Sequence, residues 1–139
     1  MSFGAPRVHR VFAESEYWLW LPQDTVVVSR ITGRGTDEVA DAMIEAFDKN
    51  VGAEPKVSIF TDLSEMTDYS SRARTVLTAW MKRNMPRSRT VHVAVKSKLV
   101  AMGVSVANLA LRSGMKIHSD TAEFEEAIRE EMVRLRKGG

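Results

Sequence analysis

A short apolar run, Val57-Ser58-Ile59-Phe60, limits the possible folds of this chain more than any other feature of its sequence. The run is too short for a helix and is followed by Thr61 and Asp62, so it predicts a buried strand with an acidic residue at its carboxyl end. Beyond a polar loop, four apolar residues follow the i, i+3, i+4, i+7 spacing of one helix face: Ala73, Val76, Leu77 and Trp80. The stretch therefore predicts a strand, a loop over 63–68 and a helix ending near Asn84, which form half of a βαβ unit.

The rest of the chain continues this alternation. Strand-forming residues over 8–20, a turn at 22–24 and a β-branched run over 25–31 predict an antiparallel pair of strands. Capping residues and apolar periods predict three more helices: from the N-cap Thr36 to about Asn50, over 97–112, and over 121–137 after Asp120 and Glu123, which have a capping-box spacing. Two more strands are predicted over 90–95 and 115–118.

The predicted order of elements is β-β-α-β-α-β-α-β-α. Strands that alternate with helices specify an α/β fold, here a single-layer, mixed and mainly parallel sheet flanked by helices. We predict one domain over residues 8–137, preceded by a loose leader over residues 1–7.

Composition excludes several classes of protein. The chain has no cysteine, which excludes disulfides, thiolate metal sites and a cysteine nucleophile. Its N-terminus has no apolar signal-peptide core, and its most apolar later stretch, 99–111, is too short to cross a bilayer. A cytoplasmic protein without a membrane span is therefore expected.

Charge is unevenly distributed along the chain. Residues 1–68 carry 6 Lys or Arg against 12 Asp or Glu, whereas residues 69–139 carry 14 against 6. The basic excess is typical of a nucleic-acid surface, but no aromatic residues alternate with the basic ones as base-stacking platforms. A solvated helix face explains the excess, and no nucleic-acid partner is predicted.

Two short motifs give the chain a family resemblance. The first is Asp62-Leu63-Ser64 at a strand end with Asp68-Tyr69-Ser70-Ser71 at a helix start, and the second is 115–120 followed by Phe124-Glu125-Glu126-Ala127. With the order of elements over 8–135, these motifs resemble the STAS domain family of sulfate transporters and anti-sigma-factor antagonists, with its diverged SpoIIAA-like relatives. The resemblance implies a STAS/SpoIIAA-like fold and a non-catalytic signalling domain that binds a partner protein.

The same resemblance implies a phosphorylation switch at the helix start after the central strand. The family's phosphorylated serine matches Ser70, Ser71 or neither of them. A phosphate there would meet helix N-terminal amides near Arg72 and Arg74, although Asp68 would repel it. The alternative is that one of these serines, or Asp68, simply caps the helix. The candidate partner loop contains six residues: Asp62, Ser64, Asp68, Tyr69, Arg72 and Arg74.

A second hypothesis starts from the predicted helix over 99–111, whose apolar residues nearly encircle it. Eight methionines and the Trp18/Trp20 pair add adaptable apolar surface, although the same residues fill cores and close sheet edges. The resemblance implies that diverged relatives keep a groove for lipid or small apolar molecules. An apolar ligand site or a homodimer surface is therefore assigned to five residues: Val100, Met102, Val104, Ala107 and Leu111.

No catalytic constellation is present in the sequence. His9, His92 and His118 lack the spacing of a metal site, and no GxSxG motif places a serine nucleophile. The prediction is therefore a protein that is not an enzyme, with no cofactor, no metal and no catalytic residue.

Overall fold

A computed structural model describes residues 3–138 of the chain. Within them lie seven strands: β1 Val8–Val11, β2 Ser15–Gln23, β3 Val26–Gly35, β4 Val57–Leu63, β5 Met66–Tyr69, β6 Ser88–Val95 and β7 Lys116–His118. Four α-helices accompany them: α1 Asp37–Val51, α2 Ser71–Asn84, α3 Lys98–Ala110 and α4 Thr121–Lys137. A single 3-10 turn, Met85–Arg87, joins α2 to β6.

Each α-helix begins at a side chain that accepts a hydrogen bond from a backbone N–H of the first turn. The capping residues, in chain order, are Thr36, Ser70, Ser97 and Asp120. Such caps satisfy N–H groups that have no partner inside the helix. The sequence signals at Thr36 and Asp120 therefore predicted the starts of α1 and α4 correctly.

The strands form one sheet in the order β1-β2-β3-β4-β6-β7, with β5 paired to the end of β3. The pairs β1–β2 and β2–β3 are antiparallel, and the pairs β3–β4, β4–β6 and β6–β7 are parallel. The run Val57–Phe60 belongs to β4, which lies between β3 and β6 and is buried along its whole length. The predicted mixed, mainly parallel sheet flanked by helices is confirmed.

The structure contains two strands that the sequence did not predict. The first predicted strand is divided into β1 and β2 by residues 12–14, across which the chain folds back on itself. Residues 66–68 of the segment predicted as a loop belong instead to β5, which pairs in parallel with β3 at Gly33–Met66 and Gly35–Tyr69. Thr67 is exposed within β5, and so short a polar strand has no apolar alternation to detect.

Side chains of the sheet alternate between two apolar layers. One layer, which we call the α1–α3 face, contains strand residues such as Ile31, Ile59 and Val93 packed against α1, α2 and α3. The other layer, the α4 face, contains the strand residues Phe60 and Ala94, and Phe124 and Ile128 of α4 cover it. Burial on both faces explains why the successive residues Ile59 and Phe60 of β4 are both apolar.

The leader is attached to the sheet in the part that the structure describes. Phe3 packs edge-on against Trp20, with ring centroids 6.4 Å apart, and Trp20 Nε1 donates a hydrogen bond to Gly4 O at 3.2 Å. Arg7 also donates its backbone N–H to Leu19 O at 2.8 Å. Residues 3–7 therefore contact β2 without forming a helix or strand, while residues 1 and 2 lie outside the described residues.

Candidate functional site

An apolar cavity of about 110 Å³ lies between the sheet and the three helices of the α1–α3 face. Its lining is almost entirely carbon, contributed by β3, β4, β5, β6, all three helices and Met115. The side chains that shape it are mostly aliphatic or aromatic, including Ile31, Met43, Leu63, Met66, Tyr69, Leu77, Trp80, Met81 and Val93. Arg74, Thr61 and Thr78 are polar members of the lining.

Helix α3 forms one wall of this cavity. Four of the five residues that the sequence assigned to an apolar site line it: Val100, Val104, Ala107 and Leu111. The fifth, Met102, points outward and is 62% exposed. Val100 and Leu111 are buried, so they are unavailable to a homodimer surface, and that part of the expectation is corrected. Helical periodicity explains the division, because residues spaced by three and four share one side of α3.

Strand β5 holds α3 over the cavity. Tyr69 Oη donates a hydrogen bond to Leu99 O at 3.4 Å, and Ser97 Oγ donates to Thr67 O at 3.4 Å. The Tyr69 ring also lies against Gly103, where an added Cβ would approach the ring Cζ to 2.6 Å. Tyr69, which the sequence assigned to the candidate partner loop, thus also forms part of the wall of the cavity.

Both acidic residues of the predicted partner loop have partners among the described residues. Asp62 is 5% exposed, and its Oδ1 accepts the backbone N–H of Ser64 at 2.9 Å. Its other oxygen, Oδ2, lies 3.9 Å from Arg30 Nε. Asp68 forms an ion pair with Arg34 at 3.4 Å. Asp62 thus forms an Asx-turn with Ser64, and both carboxylates also lie beside arginines of β3.

The two candidate serines have different roles at the start of α2. Ser70 Oγ accepts the backbone N–H of Ala73 at 3.0 Å and donates to Asp37 Oδ1 at 2.5 Å. Ser71, the first residue of the helix, is exposed, and its hydroxyl bonds to nothing within residues 3–138. Ser70 is therefore the cap that the sequence analysis held open as an alternative, whereas the hydroxyl of Ser71 faces solvent.

The two arginines after these serines also differ. Arg72 Nη1 lies 3.2 Å from Asp41 Oδ2 and 4.0 Å from Asp37 Oδ2, so α1 already neutralises its charge. Arg74 lines the cavity and forms no ion pair with a carboxylate in the described part of the chain. Arg74 is consequently the cation that remains available to a ligand at this corner.

The structure brings together two histidines that are distant in sequence. On the α4 face, His92 Nδ1 lies 2.8 Å from His118 Nε2, and His92 Nε2 lies 2.8 Å from Thr90 Oγ1. Burial, followed by nearby His118 and Lys116, lowers the pKa of His92 to about 4. Strand alternation could have placed both rings on one face, but only the parallel register Ala94–His118 makes them meet.

A buried carboxylate lies beside this histidine pair. Glu131 of α4 is 8% exposed, accepts a short hydrogen bond from Ser58 Oγ and forms an ion pair with Arg134 at 2.8 Å. Burial alone would raise the pKa of Glu131, but the hydrogen bonds from Ser58 and Arg134 lower it below its ordinary value. These groups border a polar cleft together with Arg89. Helical periodicity in the sequence gave no signal that the Glu131 carboxylate would be buried.

Two absences concern the part of the chain that the structure describes. Across residues 3–138, no three His, Asp or Glu side chains are grouped so that they could hold a metal ion. Over the same range, no helix is long and apolar enough to cross a membrane.

Comparison with known proteins identifies the fold. No family model and no curated protein matches the chain. The chain is similar to the solved structure of an uncharacterised protein of the DUF3478 family, which has a SpoIIAA-like fold and comes from Shewanella loihica PV-4. The two sequences are 15% identical, and the match covers 89% of this chain and 98% of that one with a TM-score of 0.61. It is also similar to an anti-sigma factor antagonist from Mycobacterium paratuberculosis, at 17% identity, 77% and 88% coverage and a TM-score of 0.55. The chain therefore has a STAS/SpoIIAA-like fold, which confirms the resemblance seen in its sequence.

Proposed function

We propose that this chain is a non-catalytic binding domain that holds a small apolar molecule in the cavity between the sheet and α3. The observation that carries the proposal is the cavity itself, with its volume of about 110 Å³ and its almost entirely carbon lining. An engineered apolar cavity of similar order, about 150 Å³, binds benzene. Binding there removes apolar surface of the ligand from water without any loss of protein hydrogen bonds.

The lining also indicates the chemistry of the ligand. Arg74 is a cation on the cavity wall, and it is not neutralised by a carboxylate of residues 3–138. Trp80 is 2% exposed, and its Nε1 has no hydrogen-bond partner in the same range. A few polar groups in an apolar pocket fix the orientation of a ligand. We therefore propose an apolar chain or ring with one acidic end, such as a short fatty acid.

The size of the cavity limits the ligand unless α3 moves. Sites for drug-sized ligands have volumes of roughly 300–1,000 Å³, larger than this cavity. Only Val100 and Gly103 of the thirteen residues of α3 are buried, so few side chains anchor the helix. A ligand longer than a short acyl chain therefore requires displacement of α3 away from the sheet.

Binding of benzene and octanoate, followed by methyl NMR, tests this proposal. The methyl resonances of Val100, Val104 and Leu111 should shift with both probes, because these side chains line the cavity. Ala107→Leu fills the cavity and should abolish the shifts, whereas Ala110→Leu, on the exposed side of the same helix, should preserve them. Arg74→Gln should weaken the binding of octanoate and leave that of benzene unchanged. Methyl resonances that stay unchanged with both probes would overturn the proposal.

A second candidate function is regulation of a partner protein through the start of α2. The specific observation in its favour is the exposed Ser71 hydroxyl at the first position of a helix, where a phosphate finds free backbone N–H groups. Asp37 and Asp41 lie beside Arg72 and would oppose the added charge. The similar anti-sigma factor antagonist makes a protein partner a reasonable proposal for this fold.

Affinity capture with variants at Ser71 tests this second candidate. If the site is a switch, the Ser71→Asp variant and the wild type should retain different partners. The Ser71→Asn variant should behave as the wild type, because Asn has nearly the shape of Asp but no charge. Identical partners for all three proteins would reject a charge switch at Ser71. The cytoplasm is the compartment we propose for either function.

A further inference from the structure

We propose that the outer side of α3 docks on an anionic lipid bilayer. Four large apolar side chains on that side are exposed: Leu99 by 48%, Met102 by 62%, Val106 by 50% and Leu109 by 75%. Their spacing of three, four and three residues places them in one stripe along the helix. This outer stripe faces away from the cavity, whose wall is made by other residues of α3.

Basic residues lie at both ends of the outer stripe. Lys96 and Lys98 precede and begin α3, and Arg112 follows it; all three are exposed. None of them forms an ion pair with a carboxylate anywhere in residues 3–138. On β5, which contacts α3, the carboxylate of Asp68 is already paired with Arg34 at 3.4 Å. The charge next to the outer stripe is therefore uncompensated and positive.

The sequence around α3 contains no acidic residue over a long stretch. Residues 69–119 carry ten Lys or Arg and no Asp or Glu; the ten are Arg72, Arg74, Lys82, Arg83, Arg87, Arg89, Lys96, Lys98, Arg112 and Lys116. The loop, helix and strand that follow β6 all belong to this stretch. A negatively charged surface that approaches this part of the protein meets no like-charge repulsion from residues 69–119.

An anionic bilayer matches both properties of this surface. The acyl boundary accepts exposed apolar side chains without a preformed pocket, and lipid headgroups attract Lys and Arg at the ends of the helix. A helix of thirteen residues, such as α3, is too short to span the bilayer and fits an orientation in the plane of the interface. The docking surface therefore consists of the outer stripe with its basic ends.

A second copy of this chain matches the surface less well. In a two-fold dimer the same patch meets itself, so Lys98 and Arg112 of one copy would lie near the same cations of the other. No carboxylate of α3 is present to neutralise them, because the helix contains neither Asp nor Glu. Like charges that face each other across an interface oppose association. The homodimer expected from the apolar helix is for this reason an alternative outcome of the test.

Co-sedimentation with vesicles tests the proposal. The chain should bind vesicles of phosphatidylcholine mixed with phosphatidylglycerol, should not bind phosphatidylcholine alone, and should lose affinity as salt is added. Leu109→Glu should lower the affinity roughly tenfold or more, because it places a charge in the acyl boundary. Val133→Glu, at an apolar side chain of α4 that is 40% exposed, should have no effect.

Neutralising one cation at a time tests the charge component. Lys98→Gln should weaken binding to the mixed vesicles about fivefold, the effect of one Lys near an anionic surface. Lys137→Gln, on the opposite face of the sheet, should leave binding unchanged. The proposal is overturned if no vesicle is bound, if neutral vesicles are bound equally well, or if Leu109→Glu instead dissociates a dimer in light scattering.

Docking and ligand binding can fail separately. Ala107→Leu fills the cavity but leaves the outer stripe intact, so it should still bind vesicles. Leu109→Glu changes only an exposed side chain, so benzene and octanoate should still shift the cavity methyl resonances in solution. Loss of vesicle binding in Ala107→Leu would show that docking depends on the cavity and would overturn the assignment to the outer stripe.

Discussion

The ring of Tyr69 lies against Gly103 so closely that a Cβ at position 103 would approach the ring Cζ to 2.6 Å. This contact brings β5 and α3 together at the edge of the apolar cavity. Glycine is required here for close approach of a side chain and not for an unusual backbone angle, because Gly103 lies within a regular helix. The two residues thus set how near α3 comes to the sheet.

Substitution of Gly103 should therefore destabilise the protein through Tyr69. Gly103→Ala forces the ring or α3 to move, and we expect the free energy of unfolding to fall by about 1–3 kcal/mol, as for overpacked cores. Urea denaturation measures this change. Ser105→Ala, on the exposed side of the same helix, is the control and should change stability by less than about 0.5 kcal/mol.

A double-mutant cycle assigns the effect of Gly103→Ala to its neighbour. In a Tyr69→Leu background the clash is relieved, so the cost of Gly103→Ala should be much smaller than in wild type. An equal cost in both backgrounds would show that the ring of Tyr69 does not limit the approach of α3.

The two serines at the start of α2 should respond differently to alanine. Ser70→Ala removes the side chain that caps Ala73 N and should lower the free energy of unfolding by about 1 kcal/mol. Ser71→Ala removes an exposed hydroxyl and should be neutral within about 0.5 kcal/mol. Thermal denaturation of the two variants side by side makes the comparison. Equal destabilisation would contradict the assignment of the cap to Ser70.

Stability should decrease in acid because of His92. Its pKa is about 4 in the folded protein against 6.5 ordinarily, since burial, His118 and Lys116 disfavour the charged ring. The unfolded chain therefore binds a proton between pH 6.5 and 4 that the folded chain does not. The contribution of His92 to stability is complete above this window and is lost as the pH falls towards 4.

NMR titration of the imidazole resonances measures this pKa directly. We expect the midpoint for His92 near 4 and a shallower pH dependence of the free energy of unfolding in His92→Phe. A midpoint close to 6.5 in the folded protein would contradict the buried environment of the ring.

The buried carboxylate of Glu131 should contribute to stability, unlike its neighbour in sequence. Glu131→Gln replaces an ionised acceptor of the Ser58 and Arg134 hydrogen bonds by a neutral one, and should cost about 1–2 kcal/mol. Glu130→Gln makes the same chemical change at an exposed position and should be close to neutral. Chemical denaturation at neutral pH compares the two variants. Similar changes in the free energy of unfolding would show that the charge of the buried Glu131 carboxylate adds nothing to stability.

Much of the fold could be predicted from local patterns. The apolar run at Val57–Phe60, the caps at Thr36 and Asp120 and the helical period after Ser71 each carry their own physical signal. Such signals arise from neighbouring residues in the chain, so no tertiary contact is needed to detect them. The strand β5 was missed for the converse reason: its four residues form a strand only through their parallel pairing with the end of β3, which is a tertiary contact.

Helix α3 shows most clearly what the local sequence predicts and what only tertiary packing decides. Its sequence indicated apolar residues on nearly every side, but not which side would face the sheet. The position of Tyr69 against Gly103 turns Val100, Val104 and Ala107 inward to the cavity and leaves Met102 and Leu109 in solvent. The sequence by itself determined the elements and their order, because periodicity and capping are local. Tertiary structure alone decided the cavity, the outer stripe and the meeting of His92 with His118, because each depends on residues that only packing and strand register bring together.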